Sequence, residues 1–284
     1  MKKTIKYMTI ILLFLFSIYY TDKTMDILKT KDPLMLEIKN NSSKYKVEPV
    51  NAIINDNTII PGKNGQEVDI EKTYNQMRKY GTYNEGLTKI KETIPTISIT
   101  NNYDKYIKLT NSDDKKLGLL FIINNQSNLN NIINILNNHN ISATLYFEDN
   151  QIEKNIELIK NTTYEIEMLY PKKHLFSSTK SYLETLTDSE LKYCYTEDEN
   201  IELLEICQKN NMHTIIPSLV IKNNLYQKIK NKIETSPIIS IYSNKYLEKE
   251  LSAAIEYLKK KGYKFYELNS LISEDNWLNK FFEK

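Results

Sequence analysis

Apolar positions are most regularly spaced between Lys115 and Asp149. Gly118–Ile123 is a continuous apolar run and predicts a buried strand. Leu129, Ile132, Ile133 and Leu136 recur at helical spacing, which predicts an amphipathic helix over Leu129–His139. Ser142–Phe147 predicts a second strand. Two apolar strands joined by one amphipathic helix make a βαβ unit, with parallel strands and a right-handed crossover. The same alternation runs on through the chain. Helices are predicted at Ile152–Lys160, Ser178–Leu186, Glu197–Asn210, Asn223–Glu234 and Leu247–Lys261. Between them fall strands at Tyr164–Leu169, Lys192–Tyr195, Thr214–Ser218, Pro237–Ile241 and Tyr263–Glu267, and Leu268–Ile272 closes the series. Such βα alternation over roughly 170 residues predicts a parallel sheet or barrel with helices outside.

The N-terminal third reads differently. Lys2, Lys3 and Lys6 precede an apolar run from Tyr7 to Tyr20. A basic region followed by ~14 apolar residues is an export pattern, and no small-x-small cleavage site or lipobox cysteine follows. Residues 1–22 are therefore expected to be an uncleaved signal-anchor crossing the membrane once, with the bulk of the chain outside the cytoplasm. Residues 23–32 read as a polar tether. Residues 33–105 read as a small α+β domain and Asn101–Asp114 as a linker, so that 23–110 precede a βα domain over 111–284. Within 33–105, Val50–Ile54 and Thr58–Ile60 flank the turn Asn55–Asn57 as a hairpin. A short helix begins near Asp69 and ends at Gly81, and Thr96–Thr100 predicts a strand. Pro61, Gly62 and Gly65 lack P-loop spacing, so this loop reads as a structural turn rather than a phosphate site.

Composition narrows the function classes. At 284 residues and 40% hydrophobic, the chain has apolar material for one full core and a smaller one. Its net charge of +2 gives no reason to expect a nucleic-acid partner. Lys, Asn, Ile and Tyr are abundant even in loops, which fits codon bias better than a sugar-stacking role for the 21 tyrosines. Cys194 and Cys207 fall on a strand and the helix that folds back over it; a disulfide and two buried thiols both fit. No Gly-x-Ser-x-Gly elbow and no dinucleotide fingerprint is present.

The segment His139–Thr144 (HNISAT) and the ending Lys259–Ile272 (KKKGYKFYELNSLI) resemble the polysaccharide deacetylase (NodB homology) domain of the carbohydrate esterases. The resemblance covers about Lys116–Ser273 and implies an irregular (β/α) barrel. In that family a metal, usually zinc, is held by one aspartate and two histidines; a second aspartate acts as base and a late histidine as acid. The aspartate pair falls here on Ile122 and Ile123, or on Asn124 and Asn125 after a two-residue slip. In the histidine phrase, Thr163–His174, Tyr164 and Leu169 replace histidines and Lys173 stands at the last ligand position, with His174 one residue beyond. The arginine motif corresponds to Tyr193–Asp198 and lacks its arginine. Tyr242 stands where the acid histidine is expected, and a tyrosine pKa near ~10 suits neutral-pH proton transfer poorly.

The catalytic and substrate-binding residues thus stay unassigned, with Tyr242 and Glu167 as catalytic candidates and His174 as a metal candidate. Glu165, His213 and Asp149 complete the titratable set for a rebuilt site. Glu165 and Glu167 share one strand face, which reads as solvated. His139, at a helix C-terminus, reads as structural. The expectation is a membrane-anchored, deacetylase-like protein of cell-surface carbohydrate metabolism, catalytically degenerate and binding a cell-wall glycan or a partner. No cofactor is expected, and zinc only if the site is rewired. The alternative is an active carbohydrate deacetylase with displaced groups.

Overall fold

The computed structural model describes residues 2–111, 115–170, 173–233 and 237–275. Its first elements are α1 (Lys2–Lys31), α2 (Pro33–Ser42), β1 (Ile53–Asn55), β2 (Thr58–Ile60), β3 (Gly65–Val68), α3 (Ile70–Met77), β4 (Ile90–Thr93) and β5 (Tyr106–Ile107). There follow β6 (Lys116–Ile123), α4 (Leu129–His139), β7 (Thr144–Phe147), α5 (Asp149–Ile152), α6 (Ile156–Asn161), β8 (Glu165–Met168) and α7 (Phe176–Thr187). The remainder are β9 (Tyr193–Tyr195), α8 (Ile201–Lys209), β10 (His213–Ile215), β11 (Leu219–Ile221), α9 (Leu225–Lys232), β12 (Ile238–Tyr242), α10 (Lys245–Lys260), β13 (Lys264–Tyr266) and α11 (Leu268–Ile272).

These elements form two compact units, and the division crosses the chain: residues 1–49 and 64–94 belong to one, residues 50–63 and 95–275 to the other. In the smaller unit, Asp32 caps α2 by accepting from the Leu34 amide at 2.8 Å, and Pro33 takes the first helical position, where no amide is needed. Leu34, Met35 and Ile38 then face Val68, Tyr74 and Met77 in a small core. β3 and β4 pair antiparallel from Gly65↔Thr93 to Val68↔Ile90. A Cβ on Gly65 would lie 2.3 Å from the Val47 carbonyl, so close backbone approach explains this glycine without any ligand.

The larger unit has two sheets. One has the order β1-β2-β5-β10-β9; the other has the order β11-β12-β6-β7-β8, with β13 also paired to β6. Apart from the β1–β2 hairpin, every ladder in both is parallel. Period-two alternation sorts β6 between two cores. Leu117, Leu119, Phe121 and Ile123 face a core shared with α4, α7, α8, α9 and α10. Leu120 and Ile122 face an inner core, where Ile59, Ile107, Tyr146, Tyr193, Tyr195 and Ile215 meet Leu268, Leu271 and Ile272 of α11. Each such side chain, fully buried, contributes roughly 1.5–3 kcal/mol.

Several elements differ from the sequence reading. Residues 23–31, expected as a tether, continue α1, and 33–42, to which no element was assigned, form a helix. Thr96–Thr100 is not a strand, and β4, with two exposed charged residues, escaped notice. The strand expected at Thr214–Ser218 is the short β10, His213–Ile215, and β11, Leu219–Ile221, is a further strand that was not expected and lies in the other sheet. An irregular (β/α) barrel was expected; among the described residues the strand ladders of the larger unit form two sheets. Finally, no helix among the described residues is long and apolar enough to cross a membrane. The large apolar side chains described between Tyr7 and Tyr20 are nevertheless 46–69% exposed.

Candidate functional site

Parallel strands bring their C-terminal ends to one face, and there the ends of β6, β7, β11 and β12 surround a cavity of about 400 Å³. Its walls are Asn124, Asn125 and Gln126 after β6, Glu148 after β7, Lys222 after β11, and Tyr242, Ser243 and Asn244 around the end of β12. Asn124 turns its Oδ1 back to the Gln126 amide at 2.8 Å, shaping the loop. Asn244 caps α10 by accepting from the Tyr246 and Leu247 amides. The lining is therefore rich in neutral amides, with one aromatic ring among them.

One charged cluster stands in this mouth. The Lys222 ammonium lies 2.8 Å from Glu197 and 4.7 Å from the centre of the Tyr242 ring. The Tyr242 hydroxyl is hydrogen-bonded with Glu197 and Tyr195, and Tyr195 with Ser240 at 2.8 Å. Burial opposes ionisation of Glu197, but its bonds to Lys222 and Tyr242 outweigh that and hold it below the usual carboxylate range. Burial, then the Glu197 hydrogen bond, raises Tyr242 far above its ordinary value. Burial likewise pushes Tyr195 up to about 12, despite its bonds to Ser240 and Tyr242. At neutral pH the cluster holds a fixed carboxylate and neutral phenols, an arrangement that orients a ligand and is poorly matched to proton transfer.

The residues at the family's metal positions do not fit a metal ion. Ile122 is fully buried in the inner core. The Asn125 Oδ1 already accepts from Gln151 and from Lys154 at 3.2 Å. Leu169 packs against the inner core as an apolar residue. Among the described residues, no three His, Cys, Asp or Glu side chains come together as a metal set.

The sequence candidates do not share one site. Tyr242 lines the mouth, but Glu165 and Glu167 line a separate cavity at the N-terminal end of β8. The face they share is not solvated: Glu167 is 2% exposed, and Glu165 accepts from Thr144 and from the Leu268 and Asn269 amides of α11. Asp149 is exposed and accepts from Thr179, and His174 is exposed on a 3-10 turn before α7. His213 is the first residue of β10, buried and stacked 4.3 Å from Tyr103, and burial lowers its pKa to about 4. His139 ends α4 and shares a hydrogen bond with Ser252. Glu197 and Lys222 were missed. Lys222 follows β11, a strand not expected from the sequence, so nothing placed it beside Glu197.

Cys194 and Cys207 form a disulfide tying β9 to α8.

No family model matches the chain. Over 141 residues it is 30% identical to the uncharacterized protein YlxY of Bacillus subtilis (strain 168), a match covering 48% of this chain. The match spans only 44% of that relative's length. Among solved structures, the chain is similar to a carbohydrate esterase family 4 pseudoenzyme of Bacillus anthracis. That likeness has a TM-score of 0.64 and 22% identity, over 87% of this chain and 97% of that one. A mutant of the pseudoenzyme with restored enzymatic activity superposes at 0.63, with 22% identity, 86% of this chain and 99% of that one. The family 4 carbohydrate esterase PdaA of Bacillus subtilis gives 0.51 and 16%, over 79% and 97%. The chain thus has the mixed α/β fold of the family 4 carbohydrate esterases, the polysaccharide deacetylases, and a pseudoenzyme is among its structural neighbours.

Proposed function

We propose that this chain is a deacetylase-derived binding protein of the cell surface, catalytically degenerate, whose mouth at the C-terminal strand ends holds a glycan. The observation carrying this reading is the substitution of the mouth's chemistry. Where the family's reaction needs metal ligands and an acid–base pair, this mouth offers Asn124, Asn125, Gln126 and Asn244 beside the Tyr242 ring. Side-chain amides both donate and accept, which matches sugar hydroxyls, and an aromatic ring suits the apolar face of a sugar. The Glu197–Lys222–Tyr242 cluster keeps that wall rigid and charge-neutral.

Attachment to a membrane through α1 belongs to the same proposal, supported by the exposed apolar side chains between Tyr7 and Tyr20. A location outside the cytoplasm is supported by the Cys194–Cys207 bond, since disulfides persist in oxidising compartments. The test is retention of the full chain, in detergent, on insoluble cell-wall glycan. Tyr242→Ala and Asn125→Ala are expected to release it, whereas Tyr80→Ala, exposed in the smaller unit, is expected not to. Equal retention of all variants, or steady release of acetate from an N-acetylated oligosaccharide, would refute the reading.

A further inference from the structure

A second cavity, of about 510 Å³, opens at the N-terminal ends of β8 and β9, the opposite strand ends from the mouth. Glu165, Glu167, Lys192, Glu267 and Asn269 line it together with hydroxyl residues such as Thr163 and Ser189. Glu165 and Glu167 stand two residues apart on one strand face, about 7 Å along β8. The Glu167 Oε1 accepts from the Lys192 amide at 3.0 Å, while its Oε2 is buried with no partner. The Tyr146 hydroxyl, inside the same core, is also buried with no partner. A buried carboxyl oxygen without a donor is costly, and such an atom lining a cavity marks a place where a ligand donor fits. Burial, then the neighbouring Glu165, holds Glu167 well above the usual carboxylate range, so a bound cation would have to displace its proton.

We propose that this cavity is a second binding site, taking a small polyhydroxylated molecule that carries a primary ammonium group. An ammonium presents three donors, enough to satisfy the free Glu167 oxygen and to offset the charge of Glu165. The cavity is of ligand size, too large for a bare ion, and the lining hydroxyls and Asn269 suit a hydroxylated body. A metal ion fits less well, because no three acidic or imidazole groups converge among the described residues. The site stands apart from the mouth and does not depend on the function proposed for it.

The test is calorimetry of the full chain with glucosamine, with glucose as the neutral analogue and with calcium alone. Glucosamine is expected to bind at least about tenfold tighter than glucose, a difference of about 1.4 kcal/mol. Glu167→Gln is expected to erase that preference, while Lys222→Ala at the mouth leaves it intact. Equal binding of the two sugars by the unaltered chain overturns the proposal, whether or not the variant folds. So does loss of the preference in Lys222→Ala, which assigns the sugar to the mouth, or binding of calcium without glucosamine.

Discussion

Removing the Cys194–Cys207 bond is expected to destabilise the larger unit by about 3 kcal/mol. The two cysteines are 13 residues apart. Closing a loop of that length in the unfolded chain removes about 10 cal/mol/K of entropy, which gives about 3 kcal/mol at 25 °C. Both sulfurs are buried in the outer core, so replacing both residues with alanine adds only a small packing loss. The assay is urea unfolding followed by circular dichroism, on the untreated chain, the reduced chain and Cys194→Ala/Cys207→Ala. With an m value of about 3 kcal/mol/M, the midpoint of the larger unit falls by about 1 M. The smaller unit contains neither cysteine, so its transition stays where it is. Identical midpoints with and without reductant would refute the reasoning, as would two titratable thiols in the unreduced, denatured chain.

Other expectations follow from particular contacts. Glu165 is raised to about 7 by burial, so its native form binds protons that the unfolded chain releases. Its contribution to stability is therefore present below about pH 4.5 and lost as pH rises through 7, on the order of 2 kcal/mol. Glu165→Gln should flatten the stability–pH curve in that window, and an unchanged slope would count against the burial argument. Lys222→Met removes the cation beside Glu197, so the carboxyl should titrate at higher pH by NMR; an unmoved titration would show that the pair does not hold it. Ile38→Ala opens the small core beneath α2, where Ile38 is 1% exposed, and should cost the smaller unit about 2–5 kcal/mol in thermal unfolding. The transition of the larger unit should not move.

The sequence was most informative where one periodicity dominates. β6–α4–β7 follows from a continuous apolar run and a clear helical stripe, and its strands pair in parallel as expected, Leu120↔Thr144 to Ile123↔Phe147. It was least informative where short elements meet. The helix expected at Ile152–Lys160 is broken by a 3-10 turn at Glu153–Asn155, and β10 and β11 enter different sheets within nine residues. The pair Glu165 and Glu167 shows a second limit. Alternation placed both on one face, but the sequence has no signal that this face closes over as interior. Capping the N-terminus of α11 is what stabilises Glu165 there. The family's ligand phrase could be compared position by position because it depends on residue types at fixed spacing. The Glu197–Lys222–Tyr242 cluster was not legible, because it joins two loops and the end of β12 through the folded topology alone.

The chain has a deacetylase-like fold, and the proposed function has it bind no metal. The most direct measurement is elemental analysis of the full chain, purified in detergent, incubated with zinc and passed through gel filtration. The account predicts zinc at background, unchanged in His174→Ala. One zinc per chain, lost in His174→Ala, would contradict it and identify a rebuilt metal site.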